Sequence, residues 1–330
     1  MPPGRLTTLG NRLAVQTETG PVPLRLKGLN RSGLQHKAGL KQAGLADLQA
    51  ELRAWRVDWG AQIIRLPLAM DFWLDSTTYQ RDLDEVVAAA AQEGLYLMLE
   101  LHGTSTHLSE PLPLPGSDAV WRDLARRYGA QPHVVFDLWN EPHSVPWAAW
   151  QTQATHLLRC IRDAGATDTL TVVGGIDWAY DLSPLLQPDN RIEGLGPVAY
   201  ATHPYPCKGV PPHGPAQWEE RFGRVARMLP VLLGEFGADA SNERPYGLSD
   251  PVAADAWLCQ LLAYVDGLEL SALAWSAGDR PHLTYGRDGG PVSLPGSPPD
   301  PGRPTEPFGA RVRAWMAGPR RAAKDQLLVA

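Results

Sequence analysis

Long hydrophobic runs are missing from this chain. No stretch of its 330 residues approaches the roughly 20 apolar residues that a membrane helix requires. The opening residues, MPPGRLTTLGNRLAV, hold no apolar core of signal-peptide length. The expectation is a protein that does not engage a membrane. Either it stays inside the cell, or its leader lies outside this sequence. Basic residues are in deficit, with a net charge of −6, which argues against a nucleic-acid surface. The short cluster Arg320, Arg321 and Lys324 reads as a solvated tail. Cysteine is scarce: Cys160, Cys207 and Cys259 are an odd number with no metal-like spacing. Cys160 and Cys259 fall in helical patterns and are expected to be buried free thiols.

Tryptophan, by contrast, is abundant at 12 residues. Most must pack in the core, where large apolar rings contribute most. Flat indoles also suit the C–H faces of sugar rings. With 44% apolar and 20% charged residues, the remainder is an ordinary globular composition.

Eight short apolar runs recur along the chain. They are LRLKGLN ending at Asn30, IIRLPL at 63–68, LYLMLELH ending at His102 and HVVFDLWNEP at 133–142. TLTVVGG at 169–175, VAYATHPY at 198–205, VLLGEFG at 231–237 and ALAWSAG at 272–278 complete the set. Between them lie helix signals: Thr78 as a cap ahead of Leu83, Val86, Val87 and Ala90, with Gly94 as a stop. Ser117 to Gly129 reads the same way. Asp250-Pro251 starts a helix that carries Ala254, Trp257, Leu258, Leu261 and Leu262 and stops at Gly267, and Pro307 to Met316 is a last one. Strands alternating with helices give a parallel sheet, and eight units predict a closed α/β (β/α)₈ TIM barrel in one domain over 1–318. Residues 319–330 are expected to be a disordered tail. The Pro- and Gly-rich stretch 278–305 reads equally as one wall of a cleft or as a disordered surface loop.

Such barrels do their chemistry at the C-terminal ends of the strands. The polar and indole residues there are Arg65, His102, Asn140, Glu141, His203, Tyr205, Glu235 and Trp275. Six strands sending such groups to one rim is costly unless the groups bond one another or a ligand. Glu141 and Glu235 face each other across the mouth. Glycoside hydrolysis uses such a pair, one carboxylic acid for the leaving oxygen and one carboxylate at the anomeric carbon. Arg65 beside Glu235 is expected to keep it ionised, with Tyr205 donating to the same carboxylate. Glu141, close to a negative Glu235, is expected to have a raised pKa and stay protonated for the first step. Asn140 is placed at the sugar 2-hydroxyl and Trp275 under the ring.

LWNEP at 138–142 and LLGEFG at 232–237 resemble glycoside hydrolase family 5, the cellulase family. With RLP at 65–67, LELHG at 99–103 and HPY at 203–205 in order, the resemblance runs from KGLNRSG (27–33) to LAWSAG (273–278). AYATHPYPCKG is similar to bacterial endoglucanase-type members. The resemblance implies a retaining β-glycosidase with Glu141 as acid/base and Glu235 as nucleophile. It implies Arg65, His102, Asn140, His203, Tyr205 and Trp275 around the substrate, with no metal and no cofactor. The expected substrate is β-glucan, cut by an endo-β-1,4-glucanase acting as a monomer. A β-mannanase or other β-glycosidase of the family is the alternative, and a non-catalytic carbohydrate-binding barrel a distant one.

Trp178 and Trp218 are the favoured platforms for outer sugar subsites, ahead of Trp73, Trp139 and Trp147, which read equally as packing. His36 and Asp279 are loop residues with a weaker claim on the cleft. A metal-dependent hydrolase using His102, His107 and His203 is disfavoured. The first strand lacks a His-x-His pair, and the chain has no His-Glu-x-x-His helix.

Overall fold

The computed structural model describes residues 3–208, 214–240 and 247–318. The 319–330 tail and its basic cluster lie outside the described residues. All eight predicted runs form strands: β4 (Lys27–Arg31), β5 (Ile63–Leu68), β6 (Tyr96–Leu101) and β7 (Val134–Asp137), then β8 (Thr171–Gly174), β9 (Val198–Thr202), β10 (Val231–Leu233) and β11 (Ser271–Ala277). They are nearly continuous apolar runs because both faces are covered, the inner by the barrel and the outer by helices. Parallel pairing closes the sheet in the order β10-β11-β4-β5-β6-β7-β8-β9. This is the (β/α)₈ TIM barrel expected from the spacing.

The helical elements are α1 (Leu48–Asp58), α2 (Met70–Asp75), α3 (Thr77–Gln92), α4 (Ser117–Tyr128), α5 (Trp147–Asp163), α6 (Ile176–Ala179, a single turn with left-handed backbone at Asp177 to Ala179), α7 (Pro215–Trp218), α8 (Arg224–Ala226), α9 (Pro251–Gly267) and α10 (Phe308–Ala317). In α3 the cap is Ser76 rather than Thr78, its hydroxyl accepting from Tyr79 N–H at 3.1 Å. Either hydroxyl suits a cap, and the Leu83-Val86-Val87-Ala90 stripe tolerates a start one half-turn earlier. Asp250 caps α9 as expected, accepting from Val252 and Ala253 N–H.

A three-stranded antiparallel meander precedes the barrel and has no counterpart in the sequence-based expectation: β1 (Leu6–Leu9), β2 (Arg12–Thr17) and β3 (Gly20–Pro23). Leu6, Leu13 and Val15, with Leu24 and Leu26, join one apolar cluster with the inward residues Ile63, Tyr96, Met98, Val135, Val172 and Leu273. The meander therefore stops the N-terminal end of the barrel. A larger cluster fills the space between strands and helices. Above the apolar inner layers, the inward positions turn polar and build the rim.

The stretch 278–305 is ordered, which overturns the disordered reading. β12 (Thr284–Gly286) pairs antiparallel with β13 (Pro299–Pro304). Most of it folds back over α1, where Trp59 Nε1 donates to Pro301 O at 2.8 Å and Arg287 meets Asp47 at 2.7 Å. Its first residues stay at the mouth: Trp275 Nε1 donates to Arg280 O, and Asp279 lies 3.3 Å from His36. Asp279 and His36 thus hold each other. Cys160, Cys207 and Cys259 are free thiols, with Cys160 buried and the other two partly exposed. No described helix is long and apolar enough to cross a membrane.

Candidate active site

Arg65 is the hub of the rim and is fully buried. Register places it beside Asn30 on β4, and Glu100 beside Asp137 on the next pair of strands. Its Nε donates to Asp137 Oδ2 at 2.8 Å. Nη1 reaches Asn30 Oδ1 at 3.0 Å and Glu235 Oε1 at 2.7 Å, and Nη2 donates to Asn140 Oδ1 at 3.1 Å. Glu100 Oε2 stands 3.5 Å from Nη2. Burial opposes the Arg65 charge, but Glu100, Asp137 and Glu235 outweigh it and push its pKa up. A planar fork with five donors suits this cage of acceptors, where a lysine would leave several unpaired. Burial in turn pushes Asp137 up to about 6, with Arg65 pulling down and Glu100 adding to the rise.

Glu235 lies two residues beyond β10 and is held at both oxygens, Oε1 by Arg65 and Oε2 by the Tyr205 hydroxyl at 2.7 Å. His203 packs directly above Gly234. A methyl group on that glycine would stand 2.6 Å from His203 Nε2, so only glycine admits the ring there. His203 Nδ1 is 3.0 Å from Glu141 Oε1 and 3.7 Å from Glu235 Oε2. One oxygen of each glutamate and a His203 nitrogen all lie within 4.8 Å of one another.

Glu141 departs from expectation. Burial pushes its pKa up, but the Lys208 ammonium, 2.7 Å from Oε1, and the His203 ring bring it down to about 2. The expected rise took only the Glu235 charge into account. Sequence reasoning missed Lys208, and its one signal was a lysine three residues beyond Tyr205 in HPYPCK. It also missed the buried acceptors Asn30, Glu100 and Asp137, of which only Glu100 stands two residues before a more visible rim residue, His102, on the same face of its strand.

His102 points its Nδ1 at Glu100 Oε2, 3.0 Å away, and its Nε2 lies 3.4 Å from Asn140 Nδ2. Burial lowers its pKa but the Glu100 charge and hydrogen bond win, so the net shift is upward. Its ring stacks on Trp275 with centroids 5.6 Å apart. Asn140, Glu141, His203, Tyr205, Glu235, Arg65, His102 and Trp275 are thus one connected constellation.

The two outer tryptophans part company. Trp178 is 37% exposed beside the mouth, its indole stacked on His143 at 3.5 Å. Trp218 is 1% exposed and packs edge-on against Trp257 at 5.8 Å and near Tyr264. A sugar-platform role for Trp218 is therefore corrected: its faces are occupied by the packing of α7 on α9. Trp73, Trp139 and Trp147 are likewise buried, each indole N–H bonded within the protein. His102, His107 and His203 do not converge as a ligand trio. His107 Nδ1 turns to Thr106, 2.9 Å away. Among the described residues, metal-ligating atoms converge in two groups, Glu141-His203-Glu235 and Asp118-His156-Cys160.

Paired glutamates at the C-terminal rim of a closed parallel barrel, with an arginine under one and a histidine between them, define a barrel of the glycoside hydrolase type. The chain belongs to the family Cellulase (glycosyl hydrolase family 5), whose sequence profile matches residues 27–281. It is similar to Endoglucanase MaCel5A of Microbulbifer sp., 25% identical over 284 residues, covering 84% of this chain and 51% of the relative. It is also similar to the Major extracellular endoglucanase of Xanthomonas campestris, 27% identical over 286 residues, covering 70% of this chain and 58% of the relative. The chain thus spans only a little over half the length of these curated relatives. In fold it resembles the β-glucanase SdGluc5_26A of Saccharophagus degradans, with a TM-score of 0.75 at 23% identity, covering 96% of this chain and 94% of that one. That protein is also known in complex with cellotetraose.

Proposed function

We propose that the protein hydrolyses β-glycosidic bonds with retention of configuration, as an endo-β-1,4-glucanase on soluble or amorphous β-glucan. The observation that carries this is the pair Glu141 and Glu235, one oxygen of each lying within 4.8 Å of the other, with His203 shared between them, Lys208 on Glu141 and Arg65 and Tyr205 on Glu235. That spacing suits the two-step route, where carboxyl groups stand about 5–5.5 Å apart, and leaves too little room for the water of a one-step inversion. Glu235, held at both oxygens by Arg65 and Tyr205, has its orientation set and attacks the anomeric carbon as nucleophile. Glu141 delivers a proton to the leaving oxygen, then takes one from the water that releases the sugar. Asn140, fixed by Arg65 and near His102, presents its amide to the 2-hydroxyl. Trp275 with the stacked His102 lines the site of the cleaved sugar, and the partly exposed Trp178 offers a face for a sugar in an outer subsite. Two carboxylates and a water complete the chemistry without a cofactor.

The β-glucan assignment draws on the relatives named endoglucanases and on the cellotetraose complexes of the Saccharophagus β-glucanase and of the Thermobifida fusca endoglucanase Cel5A. The test is hydrolysis of soluble β-glucan and cello-oligosaccharides by the wild type, Glu141→Ala and Glu235→Ala, with product anomers resolved at first formation. Glu141→Ala is expected to lower kcat on polysaccharide by about 10²–10⁴-fold, with Glu235→Ala at least as impaired. Inverted product at first formation overturns the two-step mechanism. A clear preference for β-mannan overturns the substrate assignment and leaves the mechanism standing.

A further inference from the structure

Loop residues 203–208 serve both glutamates at once. His203 lies against both, Tyr205 donates to Glu235, and Lys208 reaches back to Glu141. Lys208 is firmly placed. Its backbone N–H donates to Tyr205 O at 3.1 Å, and its ammonium lies over the Tyr205 ring, 5.0 Å from the centroid. The ammonium also donates to the carbonyl of Trp178. That carbonyl is aimed by an unusual turn, since Asp177, Trp178 and Ala179 all have left-handed backbone, with φ of 57°, 61° and 56°. Three successive non-glycine residues rarely adopt this conformation. The turn is pinned to the acid/base segment itself, because Trp178 N–H donates to Pro142 O at 3.0 Å. The side chain of Lys208 is 9% exposed and that of Glu141 is 17% exposed.

Among the described residues, both side-chain hydrogen bonds to Glu141 fall on the same atom. His203 Nδ1 and Lys208 Nζ meet Oε1, and neither meets Oε2. We infer that Lys208 is a positioning residue for the acid/base carboxylate: anchored on the Trp178 carbonyl and the Tyr205 ring, its ammonium pins Glu141 Oε1 and leaves Oε2 to carry the transferred proton. The inference rests on the functional reading above for its consequence in turnover, and on geometry alone for its effect on Glu141.

Among the described residues, the charged and titratable groups facing Glu141 are Glu235 beyond β10, His203 beyond β9 and Lys208 on the same loop. Glu235 favours a protonated Glu141, whereas the ammonium in direct contact favours the carboxylate. The net effect on Glu141 is downward, burial notwithstanding. The resting site is thereby set for the second step, in which Glu141 acts as base. For the first step Glu141 must be protonated, so kcat/KM falls with rising pH as that proton is lost. Removing the ammonium moves this alkaline limb to higher pH.

The experiment is a carboxyl-carbon NMR titration of protein labelled at glutamate, with the Glu141 signal identified by its loss in Glu141→Gln. Lys208→Met is expected to raise the Glu141 midpoint by at least about one pH unit, a tenfold weaker acid, and Lys208→Arg to restore most of the shift. Lys208→Gln repeats the test should the methionine variant fold poorly. A midpoint in Lys208→Met or Lys208→Gln that coincides with the wild type overturns the inference. The kcat/KM profile on cellotetraose provides the second readout, its alkaline limb moving up in parallel. Should the wild type cleave no β-glucan, the functional reading fails while the titration still decides the role of Lys208. Cleavage with an unmoved titration sinks Lys208 and spares the function.

Discussion

At the scale of single residues, the two tryptophans Trp178 and Trp218 show how little residue type alone decides. Both follow predicted strands and both have the flat face that sugars favour. One presents it at the mouth, and the other spends it on Trp257 and Tyr264. Trp218→Ala is expected to cost about 3–5 kcal/mol of stability, the usual range for emptying a buried aromatic site, as read from urea midpoints. Trp178→Ala is expected to cost no more than about 0.5–1 kcal/mol and to raise KM on cello-oligosaccharides that extend past the cleaved bond. A larger stability loss in Trp178→Ala than in Trp218→Ala would reverse the assignment. Arg65 belongs to the same scale. Its role beside Glu235 was legible in the RLP motif, but the cage that Asn30, Glu100 and Asp137 complete around it was not. Those residues are polar letters in apolar runs, and only the barrel's closure shows that they converge.

Among the elements, the eight barrel strands were read correctly because each is a buried apolar run bounded by turn residues and spaced for one helix. The meander β1–β3 escaped notice for the opposite reason. Its strands are only 4 to 6 residues long, and the tight turns at Gly10 and Gly20 (φ +58° and +115°) are its clearest signal. Its apolar residues make sense only once there is an open barrel end to close. Leu13 sits 6% exposed in the cluster that plugs that end. Leu13→Ala is expected to lower stability by about 2–5 kcal/mol, measured by urea unfolding, while kcat on β-glucan at moderate temperature stays near the wild-type value. A neutral effect on stability would mean that the meander does not brace the barrel. The segment after β11 likewise needed a neighbour, since α1 gives β12 and β13 a surface to cover.

For the molecule as a whole, two carboxylates, the partly buried Glu141 and the buried Asp137, tilt stability in opposite senses with pH. Burial works against the Glu141 charge, but Lys208 and His203 prevail and set its folded pKa at about 2. This lies below the roughly 4.3 of an unfolded glutamate. The unfolded chain therefore binds more protons between these values. The Glu141 contribution is complete above the unfolded pKa and is lost as pH falls toward 2. Burial sets Asp137 at about 6 in the folded state, above the roughly 3.9 of an unfolded aspartate. Here the folded form binds more protons, so this contribution is present at low pH and is lost as pH rises through 6. Urea unfolding near pH 3, 4.5 and 6.5, about the points where these effects separate, is expected to show a flatter acid limb in Glu141→Gln. The same measurement should show a smaller decline toward neutral pH in Asp137→Asn. Unchanged pH dependence in both variants would contradict these assignments.

Sequence by itself determined the barrel, the positions of its strands and the pair of glutamates at its rim. These follow from local patterns, apolar runs of strand length at helix-sized intervals and carboxylates just past strand ends. Tertiary structure decided the rest: the meander in the barrel floor, the burial of Trp218 and the charge state of Glu141. That last property depends on an ammonium 67 residues away in the chain and 2.7 Å away in space. A carboxyl group responds to whatever charge the fold brings beside it. No periodicity in the sequence records that approach.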